Sequence, residues 1–270
     1  MIKAWSVAVL TLKEGLRHRI LYSVLIVTLL TMTASVLISG FFMRDISKIL
    51  LDFCLATISI GGLLIPFFLA VNLLAGDIDR QTVVTILSRN ISRTEYLVGK
   101  YLGISLLTAI VMLLLFAATI CSVYGGMILY GETYFKSFSL TAISLSTVLG
   151  FLSISILNAF VVLWCTLTTT SFLATLLTFS TYLIGQMIDD VVRFVESPPP
   201  GAVISSSVHN AAQVIQYIFP NLAAFDHKLT ASHGLLIPLD QFSILSLYAA
   251  VYIIATLTLS IFIFSRRDLC

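Results

Sequence analysis

The chain has 270 residues, of which 59% are hydrophobic and only 10% are charged. Soluble domains carry about 25% charged residues, so this composition excludes an ordinary soluble domain and indicates a membrane protein. The formal net charge of +2 at pH 7 is small, and no nucleic-acid partner is expected. The charges become informative only when they are assigned to the two sides of the membrane. The four cysteines occur singly, without a CxxC pair, which predicts no disulfide framework.

Six apolar stretches of roughly 20 residues are each long enough to cross a bilayer core as a helix. The runs are continuous and rich in Leu, Ile and Val, whereas the strands of a membrane barrel alternate in polarity. The sequence therefore predicts an all-α integral membrane protein with six transmembrane helices. These spans cover residues 20–43, 49–75, 100–130, 138–163, 171–188 and 242–264.

The basic residues predict how these spans are oriented. If both termini lie in the cytoplasm, the inner segments hold ten Lys and Arg in 50 residues, and the outer segments hold five in 65. Lys and Arg concentrate on the cytoplasmic side of membrane proteins. The sequence therefore predicts a multi-pass protein of the inner (cytoplasmic) membrane with cytoplasmic N- and C-termini.

An interfacial helix is predicted over residues 1–19, ahead of a six-span domain at 20–270. Charged residues alternate with large apolar residues that recur at helical spacing, namely Ile2, Trp5, Val9, Leu12 and Leu16. Such a helix lies in the headgroup plane, with Trp5 at the boundary. A cytoplasmic extension of the first span is the alternative interpretation.

Four polar side chains within the spans are candidates for a translocation path: Asp52, Asn72, Asn158 and Gln186. Amides inside a membrane more often form hydrogen bonds between helices than contact a substrate, so both roles stay open. Asp52 lies about one turn from Lys48, close enough to the surface to be hydrated or paired. In the same span, Pro66 removes one backbone hydrogen bond and predicts a kink.

A compact charged segment over residues 76–99 connects spans two and three. Asp77 and Asp79 suit the start of a short helix, because carboxylates cap free amides and favour the positive end of the helix dipole. A second helix is predicted to begin at Ser92, which has the S-x-x-E spacing of a capping box with Glu95. A short helix joined by a tight turn to a capped transmembrane helix is a rigid lever, able to transmit a displacement.

Residues 189–241 form the predicted extracytoplasmic region. The sequence ESPPPG at 196–201 predicts a stiff break. An amphipathic helix is predicted after it, resting on the outer leaflet and ending at Pro220, with an apolar face made by Val208, Ala211, Ala212, Ile215 and Phe219. The local histidines have no tight ligand spacing, even with Asp226 added, so no metal site is expected at His209, His227 and His233.

This arrangement resembles the permease subunit of type-2 ATP-binding-cassette (ABC-2) exporters over essentially the whole chain. The most specific part is GDIDRQTVVTILSRNISRTEYLVGKYLG, which is similar to the family's acidic-x-x-x-x-T run followed by L-S-x-P-I-S-R and G-K-x-x-G. The matching positions are Asp77, Thr82, Leu87, Ser88, Ile91, Ser92, Arg93, Gly99, Lys100 and Gly103. Asn90 stands where the family commonly has proline, and asparagine also tolerates turn geometry.

Further matches resemble one branch of this family, which includes the permease associated with copper-enzyme maturation. They are Glu14, Arg17, the sequence FPNLAAFD at 219–226 and the sequence RRDL at 266–269. The branch is wide, and the resemblance does not imply a copper substrate.

The resemblance implies a dimer of permease subunits, or of homologues, in contact with membrane lipid. Each subunit would rest on a cytoplasmic ABC ATPase whose surface cleft receives a coupling helix. The coupling residues implied here are Asp79, Arg80, Val83, Val84, Ile86, Leu87, Arg89 and Arg93. The sequence has no G-x-x-x-x-G-K-[ST] phosphate loop, so ATP and Mg²⁺ are expected on the partner subunit and no cofactor on this chain.

Two other functions stay open. A non-transporting membrane scaffold or regulatory subunit would have the same fold, since fold does not establish transport. An intramembrane enzyme would need converging acidic residues, a zinc motif or a Ser/His pair. Asp189 and Asp190 are adjacent, so on a helix they point about 100° apart, and no catalytic residue is expected. The spans suit either lipid-like cargo that moves laterally or a peptide.

Overall fold

The computed structural model describes residues 2–42, 45–79, 91–135, 138–196 and 214–266. Within these ranges the chain forms helices and no β-strand. Six of these helical segments are long and apolar enough to cross a membrane, which confirms the predicted all-α fold and the predicted number of such helices among the described residues. The main helices are α1 (Ile2–Arg17), α2 (Arg19–Ser39), α3 (Ile46–Leu64), α4 (Val71–Asp79), α5 (Arg93–Tyr130), α6 (Leu140–Leu167), α7 (Ser171–Glu196) and α8 (Leu239–Arg266).

The second span is distorted where Pro66 lies. Helices α3 and α4 are joined by a π-helical stretch, Ile65–Ala70, and the Val71 amide donates to the Pro66 carbonyl five residues earlier. Proline lacks an amide hydrogen and cannot complete the regular α-helical ladder, so a local change of hydrogen-bond register accommodates it. The distortion expected at Pro66 is therefore a π-helical stretch within one continuous span.

Helix α1 packs on the first turns of α5 through small residues on both helices. A Cβ atom on Gly99 would lie 2.7 Å from the Ala4 carbonyl oxygen, and a Cβ atom on Gly103 would lie 2.7 Å from the Ala8 carbonyl oxygen. Small residues spaced four apart allow two helix backbones to approach closely. The larger side chain of Trp5 lies on the other side of α1 and is 57% exposed. The position of α1 in the headgroup plane stays a prediction.

Helix α5 is one continuous rod of 38 residues, Arg93–Tyr130. At 1.5 Å per residue it is about 57 Å long, which exceeds the roughly 30 Å of a bilayer core. The capped helix predicted at Ser92 and the third span are therefore the same helix. Its first turns are covered by α1.

Glycines also bring the second span against its neighbours. A Cβ atom on Gly61 would lie 2.7 Å from the Leu115 side chain of α5, and one on Gly62 would lie 2.5 Å from the Ile154 side chain of α6. Both glycines are buried. Helix α3 consequently packs between α5 and α6 at the centre of the bundle.

Residues 220–237, which we call the inserted segment, fold back into the bundle. The Leu222 amide donates to the Gly185 carbonyl of α7 at 2.8 Å, and both Leu222 and Phe225 are buried. The segment includes a helical turn, Lys228–Ser232, that packs on α3 and α6. This part of the predicted extracytoplasmic region therefore belongs to the core.

The amphipathic helix predicted before Pro220 falls partly outside the described residues, which resume at 214. Residues 214–218 are helical, and the side chains of Val214 and Tyr217 are 57% and 79% exposed. These exposed apolar side chains suit a lipid-facing position. Contact of this stretch with the outer leaflet stays a prediction.

Because α1 packs closely on α5, replacing a glycine of α5 with alanine should affect stability differently at two positions. Gly103→Ala places a methyl group against the Ala8 carbonyl and should destabilise the protein by about 1–3 kcal/mol, the usual cost of overpacking. Gly125→Ala, on the same helix, adds a methyl group with nothing within 4 Å. It should leave stability unchanged or raise it slightly, because Ala favours helix over Gly by up to about 1 kcal/mol.

Thermal midpoints of the purified variants in mild detergent compare the two. Equal midpoints for Gly103→Ala and Gly125→Ala would contradict close packing of α1 on α5.

Candidate functional site

The start of α5 is closed by a capping box. The Glu95 amide donates to the Ser92 hydroxyl oxygen at 3.1 Å, and the Ser92 amide donates to the Glu95 carboxylate at 3.1 Å. These bonds satisfy two donors that the first turn of a helix leaves without partners. The local spacing of serine and glutamate is sufficient to form this cap, and it fixes where the rod begins.

Arg93, one residue into the same helix, ties α5 to the end of α8. Its guanidinium donates to the Phe264 carbonyl at 2.8 Å and to the Ser265 carbonyl at 3.0 Å. The last carbonyls of a helix lack partners within it, and a planar guanidinium can bond two of them at once. Tyr96 stacks on the buried Phe264 ring with centroids 6.2 Å apart. The first turn of span three and the last turn of span six therefore form one unit.

Lys100 joins two further helices at the same place. Its side chain is only 3% exposed, and its ammonium donates to the Leu73 carbonyl of α4 at 3.3 Å. The Glu14 carboxylate of α1 lies 3.6 Å from the ammonium, and that side chain is 48% exposed. A buried charge is stable only when it has polar partners, whereas a half-exposed ion pair contributes about 0–1 kcal/mol. The carbonyl contact is therefore the stronger tie.

These contacts converge on one cluster, which we call the junction. It joins α1, α4, α5 and α8 through Glu14, Leu73, Arg93, Lys100 and Phe264. Helix α4 ends at Asp79 and α5 begins at Arg93, so the connection between spans two and three leaves and returns beside the junction.

The predicted coupling residues lie mostly outside the described part of the chain. Arg93 is described and belongs to the junction, and the backbone of Asp79 ends α4. The coupling residues that lie outside the described ranges are Arg80, Val83, Val84, Ile86, Leu87 and Arg89.

The four candidates for a translocation path lie apart from one another. Asp52 is half-buried on α3, and Asn72 is exposed on α4, where its amide donates to the Phe68 carbonyl of the same span. Asn158 is fully buried and donates to the Thr108 hydroxyl of α5 at 3.1 Å, which is an interhelical hydrogen bond. Only Gln186 lines the polar cavity described next. The structure therefore does not assemble these four residues into one path.

A polar cavity of about 110 Å³ lies between α3, α5, α6, α7 and the inserted segment. Its lining includes Tyr182 and Gln186 of α7 and an ion pair in which the Lys228 ammonium lies 3.0 Å from the Asp226 carboxylate. The cavity occupies the half of the bundle away from the junction. Sequence reasoning missed this pairing of Asp226 with Lys228, because no pattern in the sequence places residues 220–237 against the bundle.

The sequence matches no model of a known protein family. No curated protein resembles it significantly. The function has to be inferred from the residues and their geometry.

The contacts of Arg93 predict a local effect of its removal. Arg93→Ala deletes two hydrogen bonds from a charged donor, each contributing about 1.5–3 kcal/mol, and should fray the last turn of α8. Hydrogen–deuterium exchange of the peptide covering residues 258–266 should accelerate at least tenfold.

Arg193→Ala is the matched control, because Arg193 is 75% exposed and pairs only with Asp189 on its own helix among the described contacts. Such surface pairs contribute little, so this variant should exchange like the parent protein. Unchanged exchange in Arg93→Ala would show that the carbonyls of α8 do not depend on the guanidinium.

Proposed function

We propose that this chain is the permease subunit of an ABC exporter, driven by a separate ATPase that docks on residues 79–93. The observation that carries the proposal is the junction. Both helices that flank the docking segment are fastened there to each other, and also to α1 and α8. A push on the segment would therefore move four helices together.

The stiffness of α5 supports this mechanism. A capped helix of 38 residues is a continuous rod, and it begins at Arg93, the last residue of the proposed docking segment. Because each helical residue is held by hydrogen bonds, displacement of the first turn is carried along the axis rather than lost in a flexible loop. Span three thus links the proposed docking site with the centre of the bundle.

The sequence resemblance supports the same function, because the matching positions that the structure describes make the contacts of the junction. Ser92 caps α5, Arg93 bonds α8, and Lys100 bonds α4. The two glycines that flank Lys100 in this motif allow α1 to approach; they are Gly99 and Gly103. In this chain, these motif residues hold helices α1, α4, α5 and α8 together.

In the proposed assembly, two permease copies or homologues form the membrane part, and each binds one cytoplasmic ATPase. ATP and Mg²⁺ bind the ATPase subunits, so this chain contributes no catalytic residue. The proposed location is the inner membrane, with both termini in the cytoplasm.

A scaffold or regulatory subunit with the same fold is the second candidate. It would use the junction to hold a partner without moving cargo. An intramembrane enzyme is disfavoured by a specific contact: Asp189 is paired with Arg193, so it does not converge with Asp190 on a shared substrate position.

The docking of the ATPase is tested by two charge insertions. Val84→Asp or Leu87→Asp would place a carboxylate in the apolar centre of the proposed interface, where it could not be hydrated, and should release the ATPase. Thr85→Asp adds the same charge at a position outside the proposed apolar face and is the matched control. The measurement is ATP hydrolysis and subunit content of the complex purified in mild detergent.

Retention of the ATPase by both aspartate variants would place the interface elsewhere. If the parent chain purifies with no ATPase at all, the exporter proposal fails and the scaffold remains.

The capping box predicts a defect in coupling without a defect in assembly. Loss of an N-cap costs about 0.5–2 kcal/mol, which frays one turn without unfolding a membrane helix. Ser92→Ala with Glu95→Ala should therefore retain the ATPase but lower the permease-dependent stimulation of ATP hydrolysis severalfold.

Ser139→Ala serves as the control, because Ser139 caps α6 with a hydrogen bond from the Ala142 amide at 3.4 Å, and α6 starts at the opposite end of the bundle. This variant should keep normal stimulation. Normal stimulation in the double alanine variant would limit the cap to a structural role.

A further inference from the structure

The polar cavity adjoins an apolar groove between two helices of the bundle. The groove, of about 200 Å³, lies between α5 and α6 and is lined by Ala109, Leu113, Phe116, Val148 and Phe151. Met112 and Thr147 line both spaces, so the cavity and the groove meet across these two side chains.

The cavity presents polar groups that the protein itself leaves available. The Tyr182 hydroxyl, the Gln186 amide and the Ser146 hydroxyl line it and form no hydrogen bond within the described part of the chain. Ser146 is only 5% exposed, so a polar group has been placed in the bundle interior without a protein partner. Buried polar groups normally find a partner, which points to water or a ligand here.

The Asp226–Lys228 pair indicates which headgroup charge would fit the cavity. The two side chains are 40% and 32% exposed, so either group can be reached from the cavity. A purely anionic headgroup would meet the Asp226 carboxylate, and a purely cationic one would meet the Lys228 ammonium. A zwitterionic headgroup can satisfy both charges at once, and the opposite orientation is rejected by like-charge repulsion.

We propose that the cavity and the groove together bind a zwitterionic phospholipid, with its headgroup at Asp226 and Lys228 and an acyl chain between α5 and α6. A cavity of about 110 Å³ can hold several water molecules, so it has room for a small polar headgroup. The groove is lined by exposed apolar side chains, among them Leu113 and Val148, which suits contact with an acyl chain. This inference rests on the proposed function, for which it names the substrate class.

A substitution at Gly150 can fill the proposed site. It lines the cavity, and a Cβ atom there would meet only Met112, at 3.6 Å, which is ordinary contact. Gly150→Ala should therefore be tolerated, while the larger side chain of Gly150→Leu would fill the boundary between the cavity and the groove. Gly125→Leu is the control for the same substitution on a helix surface, because nothing lies within 4 Å of a Cβ atom there.

The test uses the purified chain without ATPase or ATP, reconstituted in phosphatidylglycerol vesicles. A minor fraction of phosphatidylethanolamine carries a photoreactive group on its acyl chain, and a parallel sample contains phosphatidylglycerol with the same group. Cross-links to residues 144–151 are counted by mass spectrometry relative to those at Ile128, which is 85% exposed on α5 and reports ordinary lipid contact.

Phosphatidylethanolamine should label the groove at least fivefold more than phosphatidylglycerol does. The excess should persist in Gly150→Ala and Gly125→Leu. It should disappear in Gly150→Leu, and also in Lys228→Gln, because loss of a charge-assisted hydrogen bond lowers affinity about tenfold or more. Thermal midpoints verify that each variant is folded.

Equal labelling by the two lipids would overturn the zwitterionic assignment, and an excess that survives Gly150→Leu would overturn the site. Stronger labelling of residues 144–151 by a photoreactive apolar peptide than by either lipid would show that the groove binds peptide. That result would also overturn the proposed lipid site. Because no ATPase is present, failure here leaves the proposed docking of an ATPase untouched. Conversely, specific lipid labelling in a chain that binds no ATPase would support this site and reject the exporter.

Discussion

The buried ammonium of Lys100 is the constraint on which the arrangement of the junction depends. An ammonium that is 97% buried is tolerated only where polar atoms replace its water. Its partners come from two other helices, a carbonyl of α4 and a carboxylate of α1. The close approach of α1 is itself possible because Gly99 and Gly103 flank the lysine. Moving α1 or α4 away would therefore take one of these two polar partners from a buried charge.

The two long rods that meet at Lys100 differ in stiffness. Helix α5 is regular from Arg93 to Tyr130, whereas the α3–α4 span contains the π-helical stretch Ile65–Ala70. This stretch lies between Leu63, which lines the cavity, and Leu73, which bonds Lys100. A π-helical stretch has altered hydrogen bonding and is a natural place for a helix to adjust. Helix α5 can thus carry a displacement along its axis, while the π-helical stretch lets the α3–α4 span adjust to the new position of α5.

The sequence predicts those features whose causes are local. Continuous apolar runs predicted the six spans, and the S-x-x-E spacing predicted the cap, because both depend on neighbouring residues. The bond from Arg93 to Phe264 joins residues 171 positions apart, and no local pattern signals it.

The sequence pattern likewise does not predict that the inserted segment packs into the bundle. Its apolar run is too short for a span, and its place in the core depends on the carbonyl of Gly185 in another helix. The cavity could not be predicted from any single element, because residues of five elements line it.

The distance between the junction and the cavity gives a physical link between them. Lys100 and Met112 lie on the same helix, twelve residues and about 18 Å apart at 1.5 Å per residue. Met112 lines both the cavity and the groove, and it faces Gly150, where α6 has no side chain to meet it. A small shift of α5 along its axis would move Met112 past Gly150 and change the passage between the two spaces. Since methionine is flexible and glycine leaves room, the Met112 side chain can change its conformation here at little cost in packing.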